Sequence, residues 1–75
     1  MSIYEELADK LAQEVIEAAE KLDDDRLPEL IAQTLGASSP TTEELFRTAV
    51  RVRMAEARAR KMLKDRLAKL DAPNP

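Results

Sequence analysis

The sequence predicts an all-α chain: a helix, a short helix and a long helix, folded as an antiparallel helical hairpin and assembling as a dimeric helical bundle. Three observations lead there. Residues 42–70 contain neither Gly nor Pro, and as one helix they would run ~43 Å, more than so small a compact monomer needs. Elsewhere, apolar residues recur every three or four positions, the period of a helix. No segment shows the strict alternation between turn signals that marks a strand.

The first helix is expected over residues 3–22. Ser2 followed by Glu5 forms a capping box, in which each residue satisfies a backbone N–H that a helix start leaves open. Tyr4, Leu7, Ala8, Leu11, Val15, Ala18, Ala19 and Leu22 form its apolar face, with an eleven-residue spacing that keeps a helix nearly straight. Ile16 falls outside that face. Asp23-Asp24-Asp25 follows, and acids suit a helix N-cap better than a C-terminus. With Asp25 as cap, Pro28 sits in the first turn, where its missing N–H costs nothing. The second helix is therefore expected over residues 26–35, with Leu27, Leu30, Ile31 and Leu35 on its inner side. Gly36, the single glycine, falls where a C-terminal cap adopts the left-handed backbone.

Two overlapping starts lead into the long helix. Either Ser39 caps it with Pro40 at the first helical position, or Thr41 caps it with Glu44 three residues on; the expected span is residues 42–70. Leu45, Ala49, Val52 and Ala59 make one apolar stripe in its first half, and Phe46, Val50, Met54 and Ala57 make a second. A helix apolar over that much circumference is contacted from more than one side. In its second half only Met62, Leu63, Leu67 and Leu70 continue the pattern, so that half reads as an overhanging arm or a dimer seam. Residues 1–70 thus form one domain, and residues 71–75 a disordered tail. Tyr4, Leu11, Val15, Leu45, Phe46, Val52 and Leu63 are the expected core or interface residues. Leu→Ala at Leu11 or Leu63, if fully buried, is expected to cost ~2–5 kcal/mol.

Composition narrows the function. With 75 residues, one Tyr, one Phe and much of its apolar content as Ala, the chain has a thin core, since small domains bury a low fraction of their surface. It has no Cys and no His, so disulfides, thiolate metal sites and the commonest general base are absent. Such a chain is expected to complete its core with a second copy or a dedicated protein partner. No run approaches a membrane span, and the acidic start does not resemble a signal peptide; the cytoplasm is the expected location. The net charge of −3 conceals a split: residues 1–44 sum to −9 and residues 45–75 to +6.

Enzyme chemistry fails on inventory, and no small-molecule substrate or cofactor is expected. Ser38 and Ser39 lack a base and the glycines of an oxyanion loop, and read as loop polarity and a cap. Glu14 and Glu17 lack the Glu-x-x-His partners of a di-iron bundle, and the three aspartates lack the spacing of a calcium loop. The expected function is a non-enzymatic protein–protein interaction module (a small subunit, adaptor, chaperone or regulator, of the coiled-coil type) acting through the apolar and basic faces of the long helix. The residues expected to bind a partner are Arg47, Arg51, Met54, Arg58, Lys61, Met62, Leu63, Leu67 and Leu70. Glu56 lies inside the apolar stripe; it either bridges to Arg60 at the edge or serves as a buried polar contact that fixes register. The alternative is a small nucleic-acid-associated regulator that uses the Arg/Lys rows against phosphates. Against it stand the acidic whole, Asp65 within the row, and the lack of aromatics for base stacking.

Overall fold

The structure, a computed structural model, describes residues 2–71. Three helices follow in order: α1 (Ile3–Leu22), α2 (Leu27–Ser38) and α3 (Pro40–Asp71). All regular structure among the described residues is helical.

The first cap is the expected one. Ser2 Oγ accepts a hydrogen bond from Glu5 N–H at 3.2 Å, and the Glu5 carboxylate lies against the same hydroxyl. α1 then ends at Asp23, in left-handed backbone (φ 51°, ψ 48°), with its N–H directed at the carbonyls of Ala19 and Glu20. Asp25 is not the cap of α2. Asp24 takes the local role instead: its Oδ1 accepts from Arg26 N–H at 3.0 Å and shapes the turn into α2, with Pro28 in the first helical turn.

The second junction departs from expectation. Gly36 does not terminate α2; it carries ordinary helical backbone, and the helix continues to Ser38. The stop belongs to Ser39, whose extended backbone (φ −153°, ψ 96°) breaks the run. Ser39 also starts α3, accepting from Thr42 N–H at 3.1 Å with Pro40 in the first helical position. One residue thus ends one helix and caps the next; of the two expected starts the Ser39–Pro40 one is used, so α3 begins at Pro40 rather than at residue 42. Asp71 falls inside α3 rather than in the tail; residues 72–75 lie outside the described residues.

Small side chains let the helices approach closely. The buried core is Ala12, Val15, Ala32 and Phe46, flanked by Leu11, Leu27, Ile31, Leu35, Ala49 and Val50. Among the described residues, Phe46 is the one large side chain that is fully enclosed. The buried side of α1 is rotated from the expected face toward Ala12 and Ile16, leaving Tyr4, Leu7 and Leu22 exposed.

The first and last helices meet along the first half of α3 only. The chain doubles back at Ser39, so that Arg47 on α3 meets Glu29 on α2. α1 crosses α3: Glu5 and Asp9 adjoin Leu45, Thr48, Ala49 and Val52, while Ile16, Ala19 and Glu20 adjoin Val50 and Met54. All of these contacts, and the Asp9–Arg53 pair, fall within residues 45–54 of α3. They advance little along α3, so the crossing is steep. The molecule spans 58 × 30 × 13 Å, and no helix among the described residues is long and apolar enough to cross a membrane.

Candidate protein interface

α3 has two halves with different surroundings. Its first half lies against α1 and α2. From Met54 to Leu70 every side chain is exposed, although the helix continues unbroken. The overhang carries Leu63, 57% exposed, Leu67, 53%, and Leu70, 81%, with Met62 beside them. These four were expected at a partner site, and they stand together on the free arm. Leu63 is therefore not core in the single chain, nor are Tyr4 and Val52. Leu11 and Leu45 are half-buried, and only Val15 and Phe46 of the expected set are enclosed.

Arg47 does not belong to a free surface. Its guanidinium donates to both carboxylate oxygens of Glu29, at 2.6 and 3.0 Å, and to Glu43 Oε2 at 2.7 Å. Two carboxylates on different helices converge on one planar fork, the geometry that guanidinium groups satisfy best. The result is a clamp holding α2 to α3. It raises the Arg47 pKa further and lowers that of Glu29, chiefly through the hydrogen bond from Arg47 with a second contribution from Gln33. Gly36 lies under the clamp: a Cβ there would collide with the Glu43 carboxylate.

Arg53 makes the second cross-helix pair, donating to both oxygens of Asp9 at 2.6 and 2.7 Å. Its hydrogen bonds hold the Asp9 carboxyl below its ordinary pKa, and the Arg53 pKa is raised in turn. Periodicity places Asp9 beside Glu5 on the flank of α1, but only the crossing of α1 over α3 brings Arg53 to it. The acidic-to-basic attraction read from the sequence is thus met in part within the chain.

The remaining site residues sit as follows. Glu56 bridges to Arg60 one turn on, both more than half exposed, which is the edge arrangement. Lys61 pairs with Asp65 at 3.1 Å. With Arg58, Met62, Arg66 and Lys69 they line a shallow depression on the arm. Arg51 is exposed, and Met54 borders a groove formed with Ile16, Ala19 and Pro28. The feature that sequence reasoning missed is a groove of about 230 Å³ between α1 and α3, walled by Glu5, Asp9, Leu45, Thr48, Ala49 and Val52. The stripe Leu45–Ala49–Val52 was its only signal. Among the described residues, no group of three or more Asp or Glu side chains is placed to hold a metal ion.

The sequence matches no family model, and comparison with curated proteins and with solved structures finds no match.

Proposed function

We propose that this chain is a non-enzymatic protein–protein interaction module whose working surface is the seam and basic flanks of α3. One observation carries the reading. The arm from Met54 to Leu70 leaves the body with all its side chains exposed, yet it keeps Leu63, Leu67 and Leu70 at helical spacing. The arm extends a helix already nucleated in the body, but most helical stability in proteins comes from packing of an apolar face, and here nothing packs against it. Covering the seam supplies the missing burial, at ~25 cal/mol per Å² of apolar surface removed from water. The chain's surface of 6210 Å² exceeds the about 4,600 Å² typical of a compact protein of 8.4 kDa. That surplus is about twice the ~800 Å² that each side of a standard interface buries. Small subunit, adaptor, chaperone and regulator are all roles such a surface serves.

The test compares the chain with Leu63→Asp and Leu67→Asp variants in an extract of its source, at about 0.1 and 0.5 M salt, where screening lengths differ twofold. A complex with itself or with another protein is expected that survives the higher salt and is lost in both variants. An equally stable complex in the variants, or no complex at all, would refute the seam. Fluorescence anisotropy with a labelled DNA duplex covers the phosphate-binding alternative, whose affinity would fall steeply with salt and ignore Leu63→Asp.

A further inference from the structure

Resting on that reading, we propose that the occupant of the seam is a second copy of this chain. The two α3 helices then run antiparallel, the arm of each filling the groove beside α1 of the other.

The register is written in the sequence of α3. One stripe follows a heptad spacing, with Leu45, Val52, Ala59 and Arg66 alternating with Ala49, Glu56, Leu63 and Leu70; it is half-buried at Leu45 and Ala49 and exposed from Val52 onward. When two copies run antiparallel, these two sets face one another. One stagger then pairs the large apolar positions with one another: Leu45 faces Leu70 and Val52 faces Leu63, while Glu56 faces Ala59 and Ala49 faces Arg66. Each pairing recurs by two-fold symmetry, as an isologous interface requires. Leu45, Val52, Leu63 and Leu70, all with open surface in the single chain, meet as large apolar pairs. Ala59, opposite Glu56, leaves room at the centre for the carboxylate and its Arg60 partner. The paired stretch runs about 39 Å.

Charge selects this arrangement over the parallel one. Residues 54–70 carry six bases and two acids, so arms lying side by side in parallel would bring like charges together, which opposes assembly. The antiparallel stagger instead moves each arm onto the first half of its partner's α3. There the groove has an apolar floor of Leu45, Ala49 and Val52 and an acidic wall of Glu5 and Asp9. Arg60, Lys64 and Leu67 share the flank of the seam that turns toward that wall. Asp9 already holds Arg53, which leaves the exposed Glu5 as the acceptor for the arriving cation.

The chain has no cysteine, so single cysteines can report the register. Val52→Cys and Leu63→Cys variants are prepared separately, checked for unchanged helicity by circular dichroism, mixed in equal amounts and oxidised mildly. Both positions are exposed in the single chain, so neither substitution removes core packing. The expected result is a disulfide joining the two different variants, little bridging of either variant with itself, and twice the 8.4 kDa chain mass by light scattering of the unmodified protein. Self-bridging of each variant would mean parallel helices and overturn the proposal. A monomer at every concentration would overturn it as well. That monomer leaves the interaction reading standing when an extract still yields a seam-dependent complex with a different protein; the two readings fail together only when no such complex forms.

Discussion

Asp23 holds a left-handed backbone at φ 51°, a conformation that presses a Cβ against the following carbonyl and suits glycine. It also places a carboxylate at the negative end of the α1 dipole. The residue is tolerated because aspartate enters this region more readily than most side chains, and its N–H serves the last carbonyls of α1. Asp23→Gly relieves both penalties. It is expected to raise stability by about 1 kcal/mol, which for a domain of this size moves Tm up by about 4–8 °C; thermal melts followed by circular dichroism read it directly. A fall in Tm would show that the aspartate side chain holds the turn. The same scale explains the misplaced cap at Gly36. A lone glycine in a polar stretch reads as a helix end, but here it sits inside α2, beneath Glu43, and Ser39 supplies the break.

At the scale of elements, two arginines fasten the helices: Arg47 joins α2 to α3, and Arg53 joins α1 to α3. Their acidic partners, Asp9 and Glu29, lie below ordinary values of 3.8 and 4.5. A carboxyl whose pKa is depressed on folding stabilises the fold fully above its unfolded pKa and loses that contribution as pH falls through the folded value. Stability should therefore be level above about pH 5 and decline on acidification below the ordinary values. The decline should be shallower in an Asp9→Asn, Glu29→Gln double variant, measured by urea titration at several pH values. The pairs are solvent-accessible, so each is a modest contributor that salt weakens further. The three helices and the Ser2 cap were legible in the sequence because caps and periodicity are local, Ser2 and Glu5 lying three residues apart; the ends of α2 were not, since neither Asp25 nor Gly36 caps it. Nor was the crossing of α1 over α3. It depends on Asp9 meeting Arg53, 44 residues away, and on which small residues permit close approach. Arg47 was read as a surface cation for the same reason, since Glu29, 18 residues before it, becomes its neighbour only after the chain doubles back. The free arm was legible, because its narrow apolar seam is a property of α3 alone.

The whole molecule has little interior. Among the described residues the enclosed ones are Ala8, Ala12, Val15 and Ala32, all small, together with Phe46, 1% exposed. Phe46 joins all three helices through the core cluster. Phe46→Ala is expected to cost about 3–5 kcal/mol, comparable with the total stability of a marginal domain of this length. Most of the chain should then be unfolded at room temperature, seen as a loss of helical ellipticity. Leu63→Ala should be mild at high dilution and become costly as protein concentration rises, because Leu63 is exposed until a second surface covers it.

A body 13 Å thick has consequences for which substitutions it tolerates. Nearly every position borders solvent in the single chain, so folding alone constrains few of them: Ala12, Ala32 and Phe46 above all. In a library of variants sorted by cellular abundance, those enclosed positions should be depleted and the α3 seam neutral. Sorted by association, Val52, Leu63 and Leu70 should be depleted as well. The difference between the two maps would separate residues that hold the chain together from residues that another surface depends on, and would outline the occupied face without a structure of the complex.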